Sequence, residues 1–378
     1  MAESASTATA LTWSDWQASR PYSVGLEEEV MLLDPGDGWA LAARVDEVLQ
    51  AVSAQLRPHV TAETQDAVLE LATDPHLLAD DAAAQSRSLR DRLADELRMM
   101  GLRAGCAGTH PTAVWTETRI AGGERHQEVY GAMRELARRE PTFGLHVHVG
   151  VSDPDAAITL YNRMRIHLPL LLALSANSPF WQGRDTGLAS ARTPIFQAFP
   201  RVGTPRGFDC YEDYVETVDR LIRCQAFPEP TFLWWDVRPQ PRFGTVEVRI
   251  MDVQTASVAT SALAALVQSI ASLELEEGYH TESVAGNMEI LVENRFIASR
   301  DGLEAELIDP VSETRVPVRA AVGRLIDAAR PHAEALGCAA ALESVLDLAR
   351  ENGAQRQRRT YARTGDLSSL VATLADGF

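Results

Sequence analysis

The sequence has few cysteines, and they lie far apart. None of the four forms a close pair in a chain of 378 residues, which excludes a zinc ribbon and a CxxC redox motif. Scattered single cysteines in a chain of this size indicate a reducing compartment, so we expect a cytoplasmic protein. The four residues are Cys106, Cys210, Cys224 and Cys338.

Long apolar runs are also missing. No stretch approaches 18 consecutive apolar residues, and the apolar run 168–176 is interrupted by Pro169. Residues 1–10 lack the basic and apolar regions of a signal peptide. We therefore expect no membrane association, a loose leader over residues 1–20 and one α+β domain over residues 21–378.

Positive charge is scarce. Lys and Arg together number 35 against 53 Asp and Glu, which gives a formal net charge of −18. Such a surface repels a polyphosphate backbone, so we expect no nucleic-acid partner. The carboxylates either solvate the surface or, in part, surround cations.

Predicted strands occur singly between long predicted helices. Polar and apolar residues alternate within them, which favours a largely antiparallel sheet with helices on one face and the other face open. The sequence has no solenoid repeat and no low-complexity linker, which supports one large α+β unit. The strands that carry chemistry are 24–33, 60–64, 67–73, 143–151 and 243–251.

Two glutamates share one face of strand 24–33. Glu27 and Glu29 point the same way because side chains alternate along a strand, and aliphatic residues occupy the other face. A divalent cation is the usual partner of such a carboxylate pair, although a solvated acidic face is the alternative. Glu28 falls on the apolar side, where an ion pair would satisfy it.

Two further strands repeat this pattern. His146 and His148 share a face of strand 143–151, and Glu247 and Arg249 share a face of strand 243–251. The imidazoles suit a ligand pair or a phosphate donor, and the guanidinium suits a phosphate clamp. A half-exposed polar strand and a structural salt bridge are the alternatives.

A turn at residues 65–66 brings Glu63 and Glu70 back to the same face of the chain. Four strand segments then present acid, imidazole or guanidinium groups on one open sheet face. Carboxylates with imidazole and no cysteine suit Mg²⁺ or Mn²⁺ rather than zinc. Several such ions suit phosphoryl transfer from a nucleotide.

Longer motifs follow one another in a specific order. They are GLEEE at 25–29, a segment ending in ELAT at 73, GLHVHVG at 144–150, SPFWQGRDTGLASAR at 178–192, FLWWDVRPQPRFGTVEVRIMD at 232–252 and ENRFIASRDGLEAELID at 293–309. This order resembles the carboxylate–amine ligase branch of the type 2 glutamate–cysteine ligases over about residues 22–360. The resemblance implies a glutamine synthetase-like fold, in which a curved antiparallel sheet carries helices on its convex face and the active site on its concave face.

The resemblance also implies roles for single residues. One metal ion would be held by Glu29, Glu63 and Glu70. The ion that bridges the ATP phosphates would be held by Glu27, His146 and Glu247. His148 and Arg249 would contact the transferring phosphoryl group.

The implied reaction is an ATP-dependent ligation with Mg²⁺ or Mn²⁺. A carboxylate, expected to be the γ-carboxylate of glutamate, is activated as an acyl phosphate and joined to cysteine or another amine. We expect small-molecule substrates and, from the family, a homodimer. A guanidino or carboxylate kinase of the same fold is the first alternative. A metal-dependent amidohydrolase and a non-catalytic nucleotide-binding protein are weaker ones.

Three further features fit such a site. The Arg-, Gly- and Pro-rich loop 182–207 is a candidate lid, and Arg192 within it is a candidate carboxylate clamp. The basic segment 355–359 either folds onto ATP phosphates or ends a solvated helix. Of the adjacent Trp234 and Trp235, one should pack in the core and the other line the cleft.

Overall fold

The computed structural model describes residues 12–139, 141–281, 284 and 286–378. Its strands occur between long helices, as the sequence predicts. They are β1 Val24–Asp34, β2 Ala40–Leu41, β3 Val60–Ala62, β4 Val68–Ala72, β5 Arg103–Gly105, β6 Gly144–Gly150, β7 Phe180–Trp181, β8 Arg184–Asp185, β9 Val202–Gly203, β10 Trp234–Trp235, β11 Val237–Gln240, β12 Thr245–Asp252, β13 Glu306–Asp309 and β14 Thr314–Pro317.

An eight-stranded sheet organises the fold. Its main order is β11-β12-β6-β1-β4-β3, and β2 and β5 pair with the end of β1. Every pairing within this sheet is antiparallel. In the first half of β1, Val24 and Leu26 are buried while Glu27 and Glu29 are partly exposed. The predicted antiparallel sheet with one apolar and one polar face is therefore confirmed.

Helices connect and surround these strands. They are α1 Val45–Ala51, α2 Ala79–Met99, α3 Glu124–Met133, α4 Glu135–Arg138, α5 Pro154–Ser175, α6 Arg192–Phe196, α7 Tyr211–Arg223, α8 Ser257–Glu276, α9 Met288–Asp301, α10 Val318–Leu336, α11 Ala339–Glu343, α12 Val345–Arg350, α13 Gly353–Thr364 and α14 Leu367–Asp376. Short 3₁₀ helices are Pro35–Asp37, Arg57–His59, Trp115–Glu117, Pro230–Phe232 and Gly302–Glu304.

Helices α2, α5 and α8 pack directly against the strands that carry the polar face. Helix α8 is long and apolar enough to span a membrane by length and composition alone, but 83% of its most apolar window is buried inside the protein. That degree of burial is typical of a core helix. Helix α5 begins at Pro154 after Asp153, whose carboxylate accepts a hydrogen bond from the Ala156 amide at 2.8 Å.

The buried Glu28 is ion-paired, which satisfies its charge on the apolar side of β1. Arg90 of α2 donates from Nε and Nη2 to the two carboxylate oxygens at 2.8 and 2.5 Å. The hydroxyls of Ser86 and Thr260 also donate to this carboxylate, at 2.6 and 2.8 Å. Burial alone would raise the pKa of Glu28, but the Arg90 guanidinium and these hydrogen bonds outweigh it and lower the pKa. These contacts join α2, through Arg90 and Ser86, and α8, through Thr260, to strand β1.

Residues 12–20 of the predicted leader form no helix or strand, and residues 1–11 lie outside the described residues. The Trp13 indole donates to Asp219 at 2.8 Å, and the Trp16 indole donates to the Val151 carbonyl at 3.3 Å. The Gln17 amide donates to the Pro241 carbonyl at 2.9 Å. This part of the segment therefore lies against α7 and the β11–β12 turn.

The sequence pattern also predicts one strand over residues 231–237, and this prediction is wrong in detail. The chain instead forms the 3₁₀ helix Pro230–Phe232, the short strand β10 and then β11, which extends to Gln240. Pro230 at the start of the 3₁₀ helix fixes a helical φ. The predicted loop 182–207 contains β8, α6 and β9, and β9 pairs in parallel with β10.

Candidate active site

The strand register brings the predicted site residues into rows across the sheet. Glu27 of β1 lies opposite His146 of β6, and His148 of β6 lies opposite Glu247 of β12. A residue of one strand and its partner have side chains on the same face, close enough to interact. The two histidines and two glutamates therefore form one group in the middle of the sheet.

The acidic half of the site lies on the other side of β1. Glu29 is opposite Glu70 of β4, and Glu70 is in turn opposite Thr61 of β3. Since residues 61 and 63 share a face of the same hairpin arm, Glu63 points to the side of Glu70. The turn between β3 and β4 thus returns both side chains to one face, as the sequence predicts.

Glu27 binds both histidines. Its Oε2 lies 3.0 Å from His146 Nδ1, and its Oε1 lies 3.1 Å from His148 Nε2. Burial favours the neutral acid, but the charge of His148 and the hydrogen bonds from both rings outweigh it and hold the pKa of Glu27 well below its ordinary value. Burial lowers the pKa of a histidine, yet the charges of Glu27 and Glu247 raise the pKa of His148 above its ordinary value.

Glu247 is fully buried and surrounded by donors. Arg238 Nε donates to its Oε2 at 2.6 Å, Gln240 Nε2 donates to the same atom at 2.7 Å, and Arg249 Nη1 donates to Oε1. Burial would raise the pKa of Glu247, but the charges of Arg238 and Arg249 hold it well below the ordinary value. Sequence reasoning missed Arg238 and Gln240, although their alternation along VRPQ was a signal for a shared strand face.

Among the described residues, no Arg or Lys is ion-paired with Glu63 or Glu70. Burial and the charge of Glu29 raise the pKa of Glu63 to about 7. Burial and the charges of Glu27, Glu63 and Glu29 raise the pKa of Glu70 well above its ordinary value. Carboxylates that face one space and are not bound to Arg or Lys favour the binding of a positive ion.

Two triads have the spacing of a metal site. In each, one ligand atom per residue lies within 4.8 Å of the others: Glu27, Glu70 and His146 form one triad, and Glu27, His148 and Glu247 form the second. His146 Nε2 is buried and has no hydrogen-bond partner, so it is free to bind an ion. These residues fit a hard divalent cation.

This grouping differs from the one that the family resemblance implies. Among the described residues, Glu29 and Glu63 belong to neither triad, although both line the same cavity. His148 joins the second triad in the place expected for His146. Glu27 is opposite His146 in the register, and its carboxylate also contacts the His148 ring, so it belongs to both triads.

A cavity of about 770 Å³ opens over the polar face. Its wall combines acids, arginines and aromatic rings, and residues 12–17 contribute one edge. Trp234 lines this cavity, whereas the Trp235 ring packs 6.0 Å from the Phe208 ring, so the expected division of the tryptophans is confirmed. The charged and aromatic side chains are Asp15, Glu27, Glu29, Glu63, Glu70, Glu229, Arg125, Arg192, Arg238, Arg242, Arg249, His126, Trp13, Phe196, Phe199, Tyr214, Trp234 and Phe243.

Arg192 lies in the cavity wall and is almost fully buried. Its Nη1 donates to the Ile250 carbonyl at 3.1 Å and its Nη2 donates to the Arg249 carbonyl at 3.2 Å. The side chain is therefore tied to β12 rather than to a surface acid. Gly144 lies against this guanidinium, and a Cβ there would also lie 3.0 Å from His146 Nε2.

Of the two remaining candidate segments, loop 182–207 contributes to the cavity wall and the basic segment 355–359 does not. Within loop 182–207, Arg192, Phe196 and Phe199 line the cavity, whereas Asp185 binds Arg358 of α13 at 2.7 Å. The basic segment 355–359 lies in α13, and Arg359 pairs with Glu351. The arginines of this segment are thus bound to acids away from the cavity.

Comparisons with known proteins identify the family and the fold of this chain. The family described as "Glutamate-cysteine ligase family 2(GCS2)" matches residues 23–373. Two proteins of Rubrobacter xylanophilus, named "Putative glutamate--cysteine ligase 2-3" and "Putative glutamate--cysteine ligase 2-1", are 41% and 38% identical. The chain covers 98% and 94% of their lengths, and the matches span 95% and 94% of this chain.

Solved structures are similar in fold. A glutamate–cysteine ligase of Francisella tularensis in complex with AMP aligns with a TM-score of 0.67 and 14% identity, over 96% of this chain and 89% of that one. A bifunctional glutathione synthetase of Pasteurella multocida aligns with a TM-score of 0.69 and 16% identity, over 94% of this chain and 52% of that one. The predicted glutamine synthetase-like α+β fold is thereby confirmed. The chain belongs to glutamate–cysteine ligase family 2 and is a ligase enzyme.

Proposed function

We propose that the protein is a cytoplasmic, ATP-dependent carboxylate–amine ligase that activates the γ-carboxylate of glutamate and joins it to cysteine or another amine. The observation that carries this proposal is the row of carboxylates that faces Arg249 and Arg192 across one cavity. Family membership and the AMP bound by the Francisella neighbour support the use of a nucleotide.

The acids and His146 are the residues that would hold Mg²⁺ or Mn²⁺. The candidate ligands are Glu27, Glu29, Glu63, Glu70, His146 and Glu247. Such ions, when bound, supply positive charge that lets ATP phosphates approach an acidic site. The raised pKa values of Glu63 and Glu70 support a positive ion beside them, because such an ion would stabilise both carboxylates in the charged form.

Arginine and histidine side chains would handle the reacting groups. Arg249 lines the cavity; burial would lower its pKa, but the charges of Glu247, Glu27 and Glu29 outweigh burial and raise the pKa. We propose that Arg249 and His148 contact the phosphoryl group during its transfer. Arg192, held by two carbonyls of β12, would hold a substrate carboxylate with the donors that remain free.

The proposed reaction has two steps. A carboxylate oxygen of the substrate attacks the γ-phosphorus of ATP, the bond to ADP breaks, and an acyl phosphate forms. The amine then attacks the acyl carbon, phosphate leaves with the bonding electrons, and the amine gives up a proton. The acyl phosphate must be shielded from water, which the aromatic wall of the cavity favours.

The test is a panel of carboxylates and amines with ATP and Mg²⁺. We expect ADP release that depends on both substrates, with the amide and free phosphate identified by mass spectrometry. A stable phosphorylated product without amide would instead establish the kinase. Folded protein that binds nucleotide but releases no amine-dependent ADP over a broad panel would refute the ligase. We also predict a homodimer, which light scattering would test through the molar mass in solution.

A further inference from the structure

A second cluster of ligand-type side chains lies outside the active site, where α8 ends. Gly278 follows the helix with φ +61, a conformation that glycine adopts without strain, and its amide donates to the Glu274 carbonyl at 3.2 Å. This reversal returns His280 to the side of Glu274. His167 of α5 reaches the same carboxylate from the opposite side.

Both imidazoles aim a nitrogen at one oxygen. His167 Nε2 lies 2.6 Å and His280 Nδ1 lies 2.8 Å from Glu274 Oε1. The two rings are 4.8 Å apart between centroids, nearly perpendicular, and the three ligand atoms all lie within 4.8 Å of one another. Glu274 and His167 are buried, whereas the His280 side chain is 26% exposed. The cluster is therefore open to solvent on one side only.

We propose that His167, Glu274 and His280 form a zinc-binding site that ties α5 to the carboxyl end of α8. Two imidazoles and one carboxylate are a ligand set that Zn²⁺ takes in proteins, with water completing the tetrahedron. The exposed edge of His280 gives such a water access. The ion would take the place of the two direct imidazole–carboxylate hydrogen bonds. Each imidazole would bind it through the nitrogen that faces Glu274 in this structure, which is Nε2 of His167 and Nδ1 of His280.

The charges at the cluster suit this ion. One oxygen of the Glu274 carboxylate faces both His167 and His280. Arg163, the nearby cation, donates to the Glu274 backbone carbonyl rather than to its carboxylate. The end of α8 adds the negative pole of the helix.

This site differs from the cavity in both place and chemistry. Its residues belong to α5 and the end of α8, on the helical side of the sheet, and none lines the active-site cavity. Two of its three ligands are imidazoles, whereas the cavity is rich in carboxylates. The zinc site therefore stands independently of the proposed ligase reaction.

The test is zinc binding by the metal-free full-length protein. Competition with a chromophoric chelator measures Zn²⁺ affinity, and the ion count follows from elemental analysis after gel filtration in excess Mg²⁺. His280→Ala, at the partly exposed ligand, should weaken this zinc at least about 100-fold, since loss of a ligand's outer partner already costs 10–100-fold. Two controls should leave the zinc affinity unchanged. They are His59→Ala, at a histidine outside both sites, and Glu70→Gln, at an acid of the cavity.

A second readout uses Co²⁺, whose visible bands report tetrahedral coordination. We expect these bands in the parent and in Glu70→Gln, and their loss in His280→Ala. Zinc should raise the Tm of the parent but not of His280→Ala, while nucleotide binding stays equal in both. Parent protein without tight zinc, or His280→Ala with undiminished zinc, would overturn the proposal.

Discussion

At the scale of single residues, the site divides into satisfied and unsatisfied charges. Glu247 receives three side-chain donors, and Glu27 contacts two histidines. Glu63 and Glu70 have raised pKa values, because burial and the charges of neighbouring acids disfavour their ionised forms. The sequence could place these acids on one face, but it could not identify which would be paired.

Replacement of Arg249 by alanine should lower kcat by about 10²–10³-fold, since loss of one charge-stabilising donor at a transition state typically costs that much. Glu247 would keep Arg238 and Gln240, so the Tm should change little. Steady-state ADP release and thermal unfolding measure the two effects. Arg223→Ala, at an exposed arginine of α7, is the control. A kcat within about threefold of the parent would remove Arg249 from the reaction.

Glu63→Gln should stabilise the metal-free protein at high pH. The folded state keeps the Glu63 proton up to about pH 7, whereas the unfolded state loses it near 4.5. The parent's free energy of unfolding therefore falls between these pH values and is level above them. The variant should gain about 1–2 kcal/mol at pH 8 and nothing at pH 4, since water screens this partly exposed group.

Urea unfolding in a chelator at pH 4 and pH 8 measures this difference. Glu334→Gln on α10 is a matched control, because that glutamate is exposed. An equal effect of Glu63→Gln at both pH values would mean that burial and Glu29 do not perturb its ionisation.

At the scale of elements, the polar strands were predictable and their register was not. The period of two along 24–33, 143–151 and 243–251 identifies the faces, and the structure has β1, β6 and β12 there. Neighbouring strands and their alignment depend on contacts between distant parts of the chain. That is why the sequence could not show that Glu27 binds both histidines.

Gly144→Ala should disturb the site through β6. A Cβ at this position would meet the Arg192 guanidinium, which two carbonyls of β12 hold in place. We expect Arg192 to shift and the KM for the carboxylate substrate to rise about tenfold, corresponding to about 1.4 kcal/mol. Gly131→Ala is the matched control, because nothing lies within 4 Å of a Cβ there. Unchanged kinetics would mean that Arg192 does not hold the carboxylate.

The buried pair behind β1 should be costly to break. Arg90→Met leaves the Glu28 carboxylate buried without its guanidinium, which typically costs about 3–5 kcal/mol. The double variant Arg90→Met with Glu28→Leu removes both charges and should recover part of that loss. Urea unfolding of the parent, both single variants and the double variant gives the coupling energy. Additive effects would contradict a direct interaction.

At the scale of the whole molecule, the net charge of −18 combines dispersed surface acids with a concentrated group in one cavity. Dispersed charges are screened by any salt. The cavity acids should respond to a specific ion instead. The composition revealed the excess of acids, whereas the fold is needed to separate the two populations.

Mg²⁺ should therefore raise the Tm more than Na⁺ at equal ionic strength. A ligand that binds only the folded state stabilises it by about 2.7 kcal/mol at 100 times its Kd. Calorimetric scans of the parent and Glu70→Gln in MgCl₂ and NaCl measure the Tm in each salt. The variant should lose most of the extra rise in Tm that Mg²⁺ gives the parent. Equal shifts in both salts would indicate screening alone.

The strand order also determines when the site can assemble during translation. Strands β1, β3 and β4 leave the ribosome early with their acids, whereas Arg238 and Arg249 of β11 and β12 follow much later. At a synthesis rate of about 5–20 residues per second, the delay is roughly 10–35 seconds. The nascent chain therefore carries the acidic hairpin without these arginines during that time, and the sheet can close around the site only after β12, which ends at Asp252, has been made.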